Sequence, residues 1–142
     1  MAALAEVLAH RGHAVSGSDL RRTPLIDHLE RLGIRVHLGH RAELVEGAEM
    51  VVHSAAIPPD NPELREARRL GLPLIPRGEL LAHLLEEAKA VVVAGAHGKT
   101  TTTALLGSML VREGMNPTVL VGGRPVGWPG NARAGGELTV AE

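Results

Sequence analysis

Short apolar runs alternate with amphipathic stretches along the chain. The runs have the length of strands, and the stretches repeat apolar residues at helical spacing, which is typical of parallel strands joined by crossover helices. The predicted strands are residues 13–18, 34–38, 50–53, 72–75, 90–94, 118–121 and 138–141. The predicted helices are residues 1–11, 25–32, 42–45, 62–71, 78–88 and 100–113. We therefore predict a doubly wound α/β fold.

Local signals support several of these elements. Thr23 and Asn61 are each followed by proline, which is the pattern of an N-cap with proline at the first helical position. The run 90–94 is almost continuously apolar and rich in valine, which predicts a strand buried on both faces of a sheet. The helix 78–88 is expected to bury one face, which carries Leu80, Leu81, Leu84 and Leu85. From the order of elements we place a domain boundary near residues 88–89.

Composition limits the partners. The chain is 44% hydrophobic and 22% charged, with a formal net charge of −1 and acids and bases interspersed, so neither nucleic acid nor an anionic membrane is an expected partner. Cysteine is absent, which excludes disulfides and thiolate chemistry. No apolar run is long enough for a membrane span or a signal peptide. The expected partners are small molecules and the expected location is cytoplasmic.

The clearest chemical motif lies between the predicted strand 90–94 and the predicted helix 100–113. Its residues are Gly95, Ala96, His97, Gly98, Lys99, Thr100 and Thr101. A glycine-rich turn between a strand and a helix directs backbone N–H groups and the helix dipole at one point, which suits phosphate oxygens. Val93 stands where the common G-x-x-x-x-G-K-[ST] form has its first glycine, so the shorter G-x-x-G-K-T core remains. The motif predicts a nucleotide-binding P-loop.

Lys99 and Thr100 carry the predicted chemistry of this loop. Among the 15 lysines and arginines only Lys89 and Lys99 are lysines, so a lysine inside the loop is not an arbitrary basic residue. Its compact ammonium suits crowded β- and γ-phosphates, and the Thr100 hydroxyl is predicted to face the metal. The alternative is an ordinary strand-to-helix turn with His97 facing solvent.

The loop and the following threonine, G-A-H-G-K-T-T-T, resemble the G-T-H-G-K-T-T-T loop of the Mur ligases, the amide ligases of the bacterial cell wall. Ala96 replaces the usual threonine. Residues 5–8, 15–19, 52–57 and 60–63 also resemble segments of this family, so that the similarity spans the chain. His97 favours the branch that adds L-alanine to UDP-N-acetylmuramate, or the branch that recycles murein peptides, over the later ligases. The choice between these two branches stays open.

The resemblance implies two domains with separate ligands. Residues 1–88 would form a Rossmann-like domain for UDP-N-acetylmuramate, and residues 89–142 the start of an ATP-binding domain. The residues implied for the UDP substrate are Ser18, Asp19, Ser54, Ala55, Ala56 and Ile57. Both groups lie at the carboxyl ends of predicted strands, where open α/β sheets bind ligands. The alternatives are a capping or loop acid at position 19, and an ordinary loop before Pro58-Pro59.

Glu142 ends a predicted strand that resembles the family strand whose terminal glutamate holds Mg²⁺ near the loop. Mg²⁺ prefers hard oxygen ligands and retains waters and phosphates, so Thr100 and Glu142 suffice as its protein ligands. The alternative is a frayed residue without a role. The histidines other than His97 show no spacing typical of metal ligands.

The implied reaction consumes ATP, with Mg²⁺ as cofactor. The muramyl carboxylate would take a phosphoryl group, and the amine of L-alanine would attack the resulting acyl phosphate, with Lys99 as the catalytic residue that stabilises the transferring charge. An unrelated P-loop ATPase or kinase and a non-catalytic nucleotide-binding module remain as alternatives. The resemblance also implies that the first strand and its glycine-rich loop precede Met1 and that further catalytic residues follow Glu142. We therefore expect these 142 residues alone to lack ligase activity.

Overall fold

A computed structural model describes all 142 residues. The helices are α1 (Ala2–His10), α2 (Pro24–Arg31), α3 (Pro62–Arg69), α4 (Arg77–Glu86) and α5 (Lys99–Arg112), with a 3-10 helix at Ala42–Val45. The strands are β1 (Ser16–Asp19), β2 (Arg35–Leu38), β3 (Val51–His53), β4 (Leu74–Pro76), β5 (Lys89–Val92), β6 (Thr118–Leu120), β7 (Ala132–Arg133) and β8 (Leu138–Ala141). Every predicted element is present, with ends shifted by a few residues. The sequence missed β7.

The strands form three sheets. β1 pairs with β2, and β3 pairs with β4, each as a parallel two-stranded sheet. The third sheet has four strands in the order β5-β8-β6-β7, in which only the β6–β7 pair is antiparallel. The predicted α/β class with parallel strands is confirmed.

The predicted helix caps are present. Thr23 Oγ1 accepts a hydrogen bond from the backbone N–H of Ile26 at 3.4 Å. Asn61 Oδ1 accepts from the N–H groups of Glu63 at 2.9 Å and Leu64 at 3.4 Å. Each cap satisfies N–H groups that have no partner inside the helix. The Asn61 cap also fixes Glu63 in the first turn of α3.

The prediction that the valine-rich strand is buried on both faces was wrong. All four residues of β5 are exposed, including Val91 at 41% and Val92 at 58%. β5 lies at the edge of its sheet and pairs only with β8. The inner strands of this sheet are β8 and β6, and these are the covered ones. β6 is one of these inner strands, and all of its residues are buried. Apolar character alone does not set strand order, and strand order decides which strand is covered.

One apolar core joins the two halves of the chain. Leu4 and Val7 of α1 and Leu84 of α4 pack with Leu120 and Ala141 of the four-stranded sheet. Around Leu84, three further leucines of α4 are partly buried, which confirms the predicted apolar face: Leu80, Leu81 and Leu85. The predicted boundary at 88–89 falls between α4 and β5 and stays a prediction, but the two segments pack as neighbours with a shared core.

A second core lies beneath α5. Val119, Val121 and Val140 are buried there, and Trp128 packs against them. This core supports the helix whose first turn carries the predicted P-loop lysine. None of the helices is both long enough and apolar enough to cross a membrane.

Candidate functional site

The P-loop turns sharply between β5 and α5. Gly98 caps α5 in the left-handed conformation, with φ at 75° and ψ at 0°. A Cβ added at Gly98 would meet no atom within 4 Å, so the backbone conformation, and not a lack of space, favours glycine here. The turn starts α5 at Lys99, directly after the loop.

The loop presents a set of free backbone donors. No N–H group of residues 96–101 has an acceptor in the protein, and the first backbone bond into α5 is donated by Thr102 to Gly98 O at 2.9 Å. Free N–H groups at the start of a 14-residue helix form an anion-binding site together with the positive end of the helix dipole. This arrangement fits nucleotide phosphates.

The Lys99 side chain lies along the loop. Its Nζ donates to Gly95 O at 2.7 Å and to Ala96 O at 3.4 Å. The ammonium is therefore held beside the free N–H groups, while His97 is exposed. This placement agrees with the predicted role of Lys99 as the charge that faces the phosphates.

The structure brings together the two predicted metal ligands, which lie 42 residues apart in sequence. The Thr100 hydroxyl lies 2.9 Å from Glu142 Oε1 and 3.1 Å from Oε2. The backbone N–H of Gly122 also donates to Glu142 Oε1. Glu142 is therefore held in place and is not a frayed residue, although its role as a metal ligand stays a prediction.

Sequence reasoning missed Gly122. A Cβ at this position would lie 3.0 Å from Glu142 Oε1, so a larger residue would crowd the carboxylate. The glycine pair directly after the strand predicted at 118–121 is the signal that could have identified it. The structure contains no group of three or more His, Cys, Asp or Glu residues that could hold a metal. A Mg²⁺ ion here would therefore depend on phosphates and water for most of its ligands.

Ser18 and Asp19 end β1, as predicted for the UDP-substrate site. Asp19 Oδ1 accepts from the N–H of Arg21 at 3.0 Å, which is a local contact of the kind that a loop acid makes. Asp19 Oδ2 has no partner and the residue is exposed, so it remains available to a ligand. Ser18 Oγ lies 2.8 Å from His40 Nδ1.

Two backbone N–H groups of the turn after β3 donate hydrogen bonds within that turn. Ser54 Oγ accepts from Ala56 N at 3.2 Å, and Ser54 O accepts from Ile57 N at 3.1 Å. These two N–H groups are engaged within the turn, as in an ordinary loop, whereas the N–H of Ala55 has no acceptor in the protein. No hydrogen bond joins this turn to Ser18 or Asp19, and its role in binding substrate stays a prediction.

The sequence also missed a pair of titratable groups, the buried His28 and the largely buried Glu6. His28 Nε2 lies 3.1 Å from Glu6 Oε2, and their side chains are 7% and 12% exposed. Burial raises the pKa of Glu6, although His28 and His10 act in the opposite direction. Gly130 packs on this pair, since a Cβ there would lie 2.6 Å from the His28 ring. The pair therefore lies where α1, α2 and the loop before β7 meet.

Two cavities lie beside Glu142 and Glu6, respectively. One of about 240 Å³ is lined by residues from both halves, including Arg77, Asn131 and Glu142. A larger one of about 810 Å³ is lined by Glu6 and Trp128 among others, and Lys99 does not line it. The predicted phosphate site lies at the free N–H groups and not in the larger cavity.

Known proteins resemble this chain over its whole length. The family model described as Mur ligase family, catalytic domain, matches residues 1–89. A UDP-N-acetylmuramate–L-alanine ligase of Syntrophobacter fumaroxidans (strain DSM 10017 / MPOB) is 51% identical over 144 residues, which is 100% of this chain and 31% of the relative.

Two solved structures share the fold. The UDP-N-acetylmuramate–alanine ligase of Thermotoga maritima has a TM-score of 0.92 and 30% identity, covering 99% of this chain and 34% of its own. A murein peptide ligase of Psychrobacter arcticus 273-4 has a TM-score of 0.89 and 26% identity, covering 100% of this chain and 35% of its own. This chain thus spans 31% to 35% of the length of these three relatives.

Proposed function

Because the chain belongs to the Mur ligase family, we propose that it supplies the UDP-sugar and ATP sites of a ligase that joins L-alanine to UDP-N-acetylmuramate. One observation carries the proposal: the free N–H groups of residues 96–101, the Lys99 ammonium and the Thr100–Glu142 contact lie at the start of the same helix. In this proposal residues 1–88 bind the UDP sugar and residues 89–142 bind ATP.

The proposed chemistry is an ADP-forming amide synthesis. A carboxylate oxygen of the muramyl group attacks the γ-phosphorus of ATP, the bond to the bridging oxygen breaks, and ADP leaves. The amine of L-alanine then attacks the acyl carbon, inorganic phosphate leaves, and the nitrogen loses a proton. Lys99 and the loop N–H groups stabilise the negative charge of the transferring phosphoryl group.

Thr100 and Glu142 are the residues that would hold Mg²⁺. When bound, this ion neutralises phosphate charge. The donor set supports the assignment, because a hydroxyl and a carboxylate are hard oxygen ligands and Glu142 is already fixed by Gly122. Without the ion, the same carboxylate accepts the Thr100 hydrogen and keeps the pair together.

The relatives support L-alanine over a murein peptide as the second substrate. Identity is 51% to the L-alanine ligase of Syntrophobacter fumaroxidans. Among the solved structures, the L-alanine ligase of Thermotoga maritima is 30% identical with a TM-score of 0.92, against 26% and 0.89 for the murein peptide ligase of Psychrobacter arcticus. The interpretation as a P-loop protein of an unrelated family was wrong, since the family model matches residues 1–89.

The P-loop assignment is tested with the two lysines of the chain. Lys99→Ala removes the ammonium beside the loop, whereas Lys89→Ala removes the one at the start of β5. In the full-length protein, we expect Lys99→Ala to lower kcat for phosphate release roughly 100- to 1000-fold. The Lys89→Ala control should retain the wild-type rate. A Lys99→Ala protein with wild-type turnover would remove the P-loop from the mechanism.

The UDP-sugar assignment is tested with two aspartates. Asp19→Asn should weaken UDP-N-acetylmuramate binding and leave ATP binding unchanged, because Asp19 lies in β1 and the P-loop follows β5 of a different sheet. Asp60→Asn, in an exposed loop, is the matched control. Isothermal titration calorimetry with each ligand measures both affinities. Equal losses for the two ligands would indicate a folding defect, and no loss for the UDP sugar would contradict the assignment.

A further inference from the structure

Three side chains form a polar chain next to the end of β1. His40 Nδ1 lies 2.8 Å from Ser18 Oγ and 3.4 Å from Glu63 Oε1. The His40 and Glu63 side chains are 15% and 16% exposed, so solvent has limited access to their contact. Neither residue has a role in the function proposed above. Only Ser18 belongs to the expected substrate site.

The backbone holds this cluster in a defined arrangement. The N–H of Gly39 donates to Asp19 O at 2.8 Å, which extends the β1–β2 pairing by one residue. Gly39 then adopts φ of 83°, which turns the chain so that His40 reaches Ser18. On the other side, Glu63 Oε1 accepts from the N–H of Arg41 at 3.3 Å. The cluster is thus fixed from β1, from the turn after β2 and from the first turn of α3.

The carboxylate of Glu63 favours one direction for the hydrogen bond between His40 and Ser18. An ionised carboxylate only accepts, and the first turn of α3 favours its negative charge. A bare lone pair on Nδ1 would face this carboxylate oxygen at 3.4 Å and be repelled by it, which favours the tautomer that carries the hydrogen on Nδ1. The nearest acceptor for that hydrogen is Ser18 Oγ at 2.8 Å.

A Ser18 oxygen that accepts from His40 keeps its own hydrogen for another partner. We propose that His40, oriented by Glu63, is a positioning residue that makes the Ser18 hydroxyl a hydrogen-bond donor to an acceptor oxygen of the UDP moiety. The inference rests on the proposed function, since it requires a UDP-sugar site at the end of β1. It assigns opposite tasks to two neighbouring residues, because Asp19 can only accept and Ser18 is set to donate.

The test is a double-mutant cycle in the full-length protein. Ser18→Ala and His40→Ala should each raise the dissociation constant of UDP-N-acetylmuramate roughly three- to tenfold, the range of one neutral hydrogen bond. The double variant should be no weaker than Ser18→Ala, because His40 acts through the hydroxyl. UDP alone should show the same fold changes, and ATP should show none.

A conservative variant separates positioning from a general packing role. His40→Asn places an amide N–H close to the position of Nδ1 and should restore most of the affinity, whereas His40→Leu fills space without a donor and should not. Nitrogen-15 NMR of the imidazole should show Nδ1 protonated in the wild type. A ring protonated only on Nε2, or single losses that multiply in the double variant, would overturn the inference.

The outcome also distinguishes this inference from the proposed function. If the wild type binds the UDP sugar and Asp19→Asn weakens that binding while His40→Ala does not, the proposed function stands and the positioning role is wrong. If the wild type does not bind the UDP sugar, both are wrong.

Discussion

Gly107→Ala should destabilise the protein although alanine is the better helix former. Gly107 is buried within α5, and alanine there gains about 1 kcal/mol of intrinsic helix propensity. An added Cβ, however, would lie 2.8 Å and 2.9 Å from the two Cγ atoms of Val119. Carbon atoms pack best at about 3.5–4.0 Å, so the overlap is roughly 0.7 Å. Val119 is 0% exposed and is enclosed by the core that it forms with Val121 and Val140.

Overpacking of this kind costs about 1–3 kcal/mol. Because both methyl groups of Val119 are too close, the upper part of that range applies. After the gain in propensity is subtracted, we expect Gly107→Ala to lower the free energy of unfolding by about 1–2 kcal/mol. The clash would also displace α5 from β6, so the same variant should weaken ATP binding at Lys99.

Urea unfolding followed by fluorescence measures this change, because Trp128 is the only tryptophan and packs against the core that contains Val119. Gly78→Ala is the matched control: Gly78 also lies in a helix, but its added Cβ would meet nothing within 4 Å. That control should be neutral or more stable than the wild type. In a Val119→Ala background, Gly107→Ala should no longer destabilise. A Gly107→Ala effect that is unchanged in that background would refute the steric explanation.

Three further variants test other contacts. Burial raises the pKa of Glu6, so wild-type stability should fall as pH rises from the ordinary glutamate range through the raised value. Glu6→Gln should reduce this dependence of stability on pH, as measured by urea unfolding at several pH values. The same pH dependence in the variant and the wild type would contradict this explanation. Thr100→Val should weaken Mg²⁺-dependent ATP binding without changing Mg²⁺-free binding, as measured by calorimetry. Gly130→Ala should lower stability by about 1–3 kcal/mol, because its Cβ would lie 2.6 Å from His28; unaltered urea unfolding would argue against this contact.

Features that depend on neighbouring residues were predictable from the sequence. The caps at Thr23 and Asn61 act over two or three residues, so their chemistry is visible in the local sequence. The P-loop is equally local, since strand, turn and helix start follow one another within residues 89–99. The Thr100–Glu142 contact is long-range, and only the family pattern pointed to it.

Contacts between distant segments were not predictable in the same way. Ser18 and His40 are separated by 22 residues, and so are Glu6 and His28. Which residues meet at such separations depends on the turns between them and on strand order. Strand order likewise explains why β5 is exposed in spite of its valines. The two-residue strand β7 lies among glycines and prolines and has too few residues to show an alternating pattern.

The shared core gives the two proposed sites a physical connection through β8. Ala141 of this strand is 0% exposed and packs with Leu4 and Val7 of α1. The next residue, Glu142, accepts the hydroxyl of Thr100 at the start of α5. A shift of α1 against the sheet would therefore move the backbone that carries the proposed metal ligand. Packing in the half that contains the proposed UDP-sugar site thus helps to fix the geometry at which phosphate would be transferred.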